Sequence, residues 1–441
     1  MIQKIKLGYF NNRNFIRIIS YSLLSVVLLL ITWLFDYHLP GLKTYLPDFL
    51  LLSTNVSTSF LSNLSGVFLT VTTFTLTTIL TILNYYSSSF TPRIVQDFID
   101  KPHVLSLFGV LIGGFFYTVL ALFFLQNLSE DVMVISGTIA IFYAVTSMIA
   151  FVLFVRRVLR DIKYDNVIDN VFAQADRLII TEAEQRKSSE RYDAEKFQSK
   201  LNIFGQSTGY LYHIDHKALL TTLKDIPCEL VITKKIGEYI PRGVYIATLN
   251  FLNQNELSHE EEIELAKKIS NALVFNTVKN ESQDYHFEIT NIIEIALKAL
   301  SPGVNDPNTA IICINKLALL LGKLFSSQNH FILLASNDNA KVVYHSYSVE
   351  EEMYLTFNQI LFYGKSDPAV ARAILESIYL IYMISDKSAQ AEVKKFFQYS
   401  YSLCLEALSS ELDQDMLSRI KDDFDQNKDN VSDEKALRSA D

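Results

Sequence analysis

Val132–Val155 reads VMVISGTIAIFYAVTSMIAFVLFV and runs without a break into Arg156-Arg157-Val-Leu-Arg160-Asp-Ile-Lys163. A span of the hydrocarbon core takes roughly 20 apolar helical residues, and Lys and Arg collect on the cytoplasmic flank. This stretch therefore reads as a membrane helix ending among lipid headgroups. Three more apolar stretches precede it, Phe15–Phe35, Ser59–Leu83 and Val104–Leu125, and Arg17 at the edge of the first is the only charge in all four. After Val155 the remaining 286 residues are charged and periodic. The fold class expected is an all-α four-helix transmembrane domain followed by a cytosolic α+β domain. Its expected divisions are 1–155 (helices about 15–35, 59–83, 104–125 and 132–155), a helical stalk 156–198, a β-rich subdomain 199–256, a mainly helical subdomain 257–424 and a disordered tail 425–441.

The first stretch exceeds the 7–15 residues of a signal-peptide core and no small-x-small cleavage site follows, so it reads as a retained helix with Trp33 and Tyr37 as interface anchors. Lys4, Lys6, Arg13 and Arg17 precede it; Arg93 and Lys101 lie in the second link; Lys43 is alone in the first and the third has no basic residue. Both termini are expected in the cytoplasm, where every basic cluster then falls. Residues 156–441 carry 32 Lys/Arg against 42 Asp/Glu. That acidic balance argues against nucleic-acid binding, which needs a basic face. Cys228, Cys313 and Cys404 are far apart and suggest neither a disulfide framework nor a zinc site.

The second helix packs Thr70, Thr72, Thr73, Thr75, Thr77, Thr78 and Thr81 into twelve residues. Thr70, Thr73, Thr77 and Thr81 share one face. Their hydroxyls either bond back to carbonyls one turn earlier within a packed bundle, or line a hydrated path in an oligomer. Gly109 and Gly113, four apart, suit close helix packing within or between subunits. Thr91-Pro92 opens a short helix, with Arg93 as an anchor at the membrane interface. Charges at depth, which coupled transporters use, are missing from the four stretches.

Arg156 to about Arg191 has an apolar stripe at helical spacing. Leu201–Phe204, Gly209–Asp215, Cys228–Thr233 and Val244–Leu249 read as strands, and Lys235–Gly243 resembles a turn of small biotinyl-lipoyl barrels without the modified lysine. Ser258-His-Glu-Glu261 is a capping box opening a helix to about Phe275. Asp306-Pro307 opens another. Phe331–Ala335 and Val342–His345 form a hairpin, and helices follow at about 349–363, 368–384, 388–410 and 413–424.

The stretch Ala299-Leu-Ser-Pro-Gly-Val-Asn-Asp-Pro-Asn-Thr-Ala310 resembles the ALSPGINDPxTA signature of a bacterial family of predicted membrane proteins catalogued as domain of unknown function 2254. Phe90-Thr-Pro-Arg93, Gly209-Tyr-Leu-Tyr-His-Ile-Asp215 and Gln283-Asp284 resemble further family elements, with Lys279-Asn280 where the family has Arg-Thr. The resemblance implies a multi-pass protein of the bacterial plasma (inner) membrane and brings no activity with it.

Within that loop Ser301, Asn305, Asp306 and Thr309 are candidates for a ligand or interface site, against a plain helix–loop–helix corner in which they satisfy local backbone. His213, Asp215 and His216 are close, but Asp215 reads as a helix cap and no metal is expected. No nucleotide, nucleophile-elbow, kinase or zincin motif occurs, so neither an enzyme nor a cofactor is expected. The function these residues suggest is an oligomeric passive channel, or channel-like protein, regulated by its cytosolic domain. The alternative is a non-conducting membrane-anchored sensor or scaffold. The partners expected are the lipid bilayer, further copies of the chain, and an unidentified small ligand or protein on the cytosolic domain.

Overall fold

The computed structural model describes residues 2–89, 102–161, 164–189, 197, 199–253, 257–277 and 284–438. It divides into two compact units, Met1–Val167 and Ile168–Asp441.

The first unit holds α1 (Ile2–His38), α2 (Thr54–Ser89), α3 (Pro102–Leu125) and α4 (Ser136–Asp161). Within them Ile18–His38, Thr54–Asn84, Ser106–Leu125 and Ser136–Val158 are long and apolar enough to cross a membrane. In lipid every backbone polar group must be satisfied within the segment, so such stretches fold as helices whatever their β-branched content. α3 is the inner helix and packs on α1, α2 and α4, with Leu107, Leu111, Tyr117, Ala121 and Leu125 buried. Gly109 and Gly113 let α1 approach: a Cβ on Gly109 would stand 3.1 Å from the Ile18 carbonyl oxygen, and one on Gly113 2.2 Å from Ser25 Oγ.

The links 39–53 and 126–135 meet at one end of this unit, where β1 (Leu52–Ser53) pairs antiparallel with β2 (Met133–Val134). α1 runs to His38, past the expected end at residue 35, because Asp36 finds a buried partner there. Its carboxylate accepts from the Ile135 amide at 2.8 Å, the Ser136 amide at 3.2 Å and the Ser136 hydroxyl, capping α4 from another helix. Lys43 Nζ closes the arrangement on the carbonyl oxygens of Met133 (2.6 Å) and Asp36 (3.1 Å).

The second unit contains the rest of α5 (Tyr164–Ser188) from Ile168 onward. Next come β3 (Ser199–Phe204), β4 (Gly209–Ile214), α6 (His216–Thr222), β5 (Cys228–Ile232), β6 (Tyr239–Ile240), β7 (Tyr245–Phe251), α7 (His259–Asn271) and β8 (Leu273–Asn276). α8 (Tyr285–Ala299), α9 (Pro307–Leu324), β9 (Phe331–Ser336), β10 (Ala340–His345) and α10 (Val349–Gly364) follow, then α11 (Pro368–Ile384), α12 (Gln390–Ala407) and α13 (Glu411–Arg438). One sheet has the order β3-β7-β5-β10-β9 and another β6-β4-β8. β10 runs parallel to β5 in an otherwise antiparallel sheet.

Two expectations are corrected here. The stretch 258–275 is not one helix: α7, opened by the Ser258–Glu261 capping box, stops at Asn271, and Leu273–Asn276 pairs with β4 instead. The β-rich part is also not confined to 199–256, because the 331–345 hairpin adds two strands to the larger sheet. Sequence distance hides such pairing, since the buried partners Leu230 and Val342 are 112 residues apart. The last helix runs to Arg438, into the 425–441 segment whose composition reads as disordered.

α5 is an integral part of this unit. Val171, Ala175, Ile179 and Ala183 are buried along one face. Lys316–Asp169 (2.7 Å) and Lys323–Asp176 (2.6 Å), a heptad apart on both helices, fix α5 parallel to α9. α4 is described to Asp161 and α5 from Tyr164 to Ser188; residues 162, 163 and 190–191, which the expected 156–191 helix would cross, lie outside the described residues.

Candidate functional site

The seven threonines between Thr70 and Thr81 each donate to the carbonyl four residues earlier, at 2.6–3.0 Å. Thr70, Thr73, Thr77 and Thr81 are exposed on the outside of the unit, not turned into it. They belong to a longer stripe. Asn55, Ser59, Ser62, Gly66, the four threonines and Asn84 follow steps of three or four residues, and every one is exposed. At 1.5 Å per residue the stripe is about 44 Å long, enough to cross the core. A Cβ on Gly66 would meet nothing within 4 Å.

The 301–309 loop consumes its polar groups locally. Ser301 Oγ donates to the Lys298 carbonyl at 2.7 Å. The Asp306 carboxylate caps α9, accepting from the Thr309 amide at 3.2 Å and the Thr309 hydroxyl at 2.6 Å. Asn305 takes φ +48°, a left-handed conformation that Asn tolerates, and is exposed beside Val304. This is the geometry of a capped corner. Arg93, with the whole 90–101 link, lies outside the described residues, as do Lys279, Asn280 and Gln283. Asp215 caps α6 through the Ala218 amide at 3.0 Å. Burial pushes the Cys228, Cys313 and Cys404 thiols up to about 12, so none is a thiolate at neutral pH.

A different group of residues forms the most unusual chemistry in the second unit. Arg186, near the end of α5, is fully buried. Its Nη2 donates to Tyr285 Oη (3.2 Å), Ser346 Oγ (3.1 Å) and the Tyr347 carbonyl (2.9 Å), and both Nε and Nη2 face Glu182 Oε1 at 3.3 Å. Burial works against this charge, but Tyr285, Glu182 and Glu352 outweigh it and hold the guanidinium above its ordinary value. Lys235 donates to the carbonyls of His345 (3.0 Å) and Ser346 (2.9 Å) from the next segment, and burial lowers its ammonium. Glu352, fully buried on α10, faces His286 Nδ1 at 2.8 Å, and that imidazole stacks on Tyr347 with 4.5 Å between centroids.

So α5, the turn before β6, the start of α8, the segment after β10 and the start of α10 meet in one ionic cluster. Charges taken out of water are costly unless well paired. Among the described residues, the buried Arg186 Nη1 and Glu352 Oε2 have no hydrogen-bond partner. The sequence reading missed the cluster because its members are spread from residue 182 to 352. One signal was present: Arg186 falls on the buried face of α5, seven residues beyond Ile179.

Four membrane-length helices and a large α+β unit with buried charges define a membrane protein with a substantial water-compatible part. Its family follows from the sequence match. The family described as Predicted membrane protein (DUF2254) matches residues 11–379, and the chain belongs to it. No curated protein and no solved structure matches the chain.

Proposed function

We propose that this protein forms a channel-like homo-oligomer in the bacterial inner membrane, with both termini cytoplasmic, a water-filled path bordered by the outer face of α2, and regulation by the second unit through a bound ligand or protein. The observation that carries the reading is the stripe from Asn55 to Asn84, exposed throughout and built only from Asn, Ser, Gly and Thr. Lipid gains nothing from such a face, whereas a second backbone or water does. Because each threonine proton is committed to its own helix, the hydroxyls turn only acceptor lone pairs outward. Uncharged acceptors suit weak, transient contact with a cation better than with an anion.

One observation favours the second reading, a non-conducting anchored sensor or scaffold. Hydroxyls already bonded at i−4 need no water, so the stripe then serves only as a packing seam. The experiment is subunit counting in native lipid together with planar-bilayer recording. Gly66→Leu is expected to leave the single-chain fold intact and to break the oligomer. Thr77→Val is expected to keep the oligomer and lower the conductance. A monomer in native lipid, or an oligomer silent under voltage, tension and pH change, overturns the channel.

A further inference from the structure

α10 turns an apolar face away from the core of its unit. One side of the helix buries Met353, Thr356, Phe357, Ile360, Leu361 and Gly364. The other presents Tyr354, Leu355, Asn358, Gln359, Phe362 and Tyr363, none of them charged; Asn358 is half-buried and the other five are exposed. Tyr354 is 50 %, Leu355 44 %, Phe362 70 % and Tyr363 59 % exposed, and the last two rings meet edge to face with 5.0 Å between centroids. With about 200 Å² for a whole aromatic side chain, these four leave roughly 400 Å² of apolar surface in water. A standard interface takes about 800 Å² from each partner, a little over half of it apolar. The face therefore holds nearly all the apolar area that such a contact needs. Its layout is symmetric. At about 100° per residue, Leu355 and Phe362 lie on the midline, Asn358 and Gln359 to either side of it, and Tyr354 and Tyr363 at the two edges. Read from either end, the face gives tyrosine, a large apolar side chain, two amides, a large apolar side chain and tyrosine.

A pattern symmetric about its own middle suits an isologous contact, in which the same patch on two copies meets itself. We propose that a second copy of this chain covers this face, with the two α10 helices antiparallel about a two-fold axis beside Asn358 and Gln359. Leu355 of each copy then packs on Phe362 of the other, with tyrosines at the sides. Asn358 meets Asn358 and Gln359 meets Gln359 across the axis. A primary amide carries both donor and acceptor, so two facing amides satisfy each other. Charge selects the direction. Antiparallel helices bring Glu351 of one copy to Lys365 of the other, whereas parallel helices set Glu350 and Glu351 of both copies together. Asp367, at the Lys365 end, is already held by the Ala369 and Val370 amides at 2.9 and 3.1 Å. This contact is separate from the α2 stripe and does not rest on conduction; a non-conducting scaffold would keep it.

The test is oxidative cross-linking of the full chain in native membranes through one added cysteine at a time, the three native cysteines being buried. Asn358→Cys, beside the axis, is expected to run as a disulfide-linked dimer. Leu355→Cys is expected to stay unlinked, because antiparallel pairing sets it about 10 Å along the helix axis from its own copy, too far for a disulfide. Phe362→Asp, added to Asn358→Cys, is expected to abolish the dimer by setting a carboxylate against Leu355. Should that variant fail to fold, Leu355→Lys makes the same disruption from the other side. An Asn358→Cys chain that stays unlinked, as it would with a lipid surface or a different protein on this face, overturns the proposal. A link that survives Phe362→Asp also overturns it, as the mark of random collision. Equal linking at 355 and 358 does so too, as the mark of a parallel pair.

Discussion

Arg186 shows how much one position can be asked to hold. Its guanidinium joins α5 to Tyr285 on α8 and to Ser346 and the Tyr347 carbonyl after β10. Arg186→Met keeps most of the stem's packing but takes the guanidinium from the Tyr347 carbonyl and leaves Glu182 without its cation, with the Ser346 hydroxyl still donating to it. Removing one partner of a buried pair costs about 3–5 kcal/mol. Arg186→Lys restores the charge without the planar fork and is expected to recover only part of that. The thermal midpoint of the full chain in detergent should therefore fall in the order wild type, Lys, Met. A Met variant as stable as the wild type would show the cluster to be dispensable for folding. The loop residues Ser301, Asp306 and Thr309 contrast with it: they stood out in the sequence because turn formers are concentrated there, and the structure spends their polar groups on a helix corner.

At the scale of elements, the two helices carrying conspicuous small residues use them differently. α3 turns Gly109 and Gly113 inward, against α1. α2 turns Gly66 outward, among the exposed threonines. Gly113→Leu must displace Ser25, whose Cβ is 3.0 Å from the new Cβ, and Tyr143, whose hydroxyl is 2.9 Å away. Overpacking of this kind typically costs about 1–3 kcal/mol. The expected outcome is a clear loss of thermal midpoint for Gly113→Leu with no comparable loss for Gly66→Leu in the detergent-solubilised monomer, measured side by side. Equal losses would place Gly66 against a protein surface within its own chain. Apolar length announced both helices, but not which face turns inward, since apolar residues surround α3 and cover much of α2. α7 and β8 teach a related lesson: the capping box marked where the helix begins, and β4, 59 residues before β8 begins, decided where it stops.

For the whole molecule, the prediction concerns orientation. The 39–53 and 126–135 links share one end of the first unit through β1 and β2. If basic residues mark the cytoplasm, that end faces outward. Cysteines introduced at Tyr45, 85 % exposed, and at Glu130 should react with an impermeant thiol reagent applied to intact cells, while one at Lys101 should not. The three native cysteines are buried and give a low background. Labelling at Lys101 alone would invert the orientation. The sequence by itself determined the membrane helices, the start of the soluble part and most of its elements. Those depend on local quantities: apolar length against the bilayer, a period of 2 or 3.6, and caps such as Ser258 and Asp306. Only the tertiary structure decided that β10 lies beside β5, that the α2 threonines face outward, and that Arg186, Glu182, Tyr285, His286 and Glu352 converge. Each of those brings together segments far apart in the sequence or chooses one helix face over another, fixed by what packs against it and not by the local sequence.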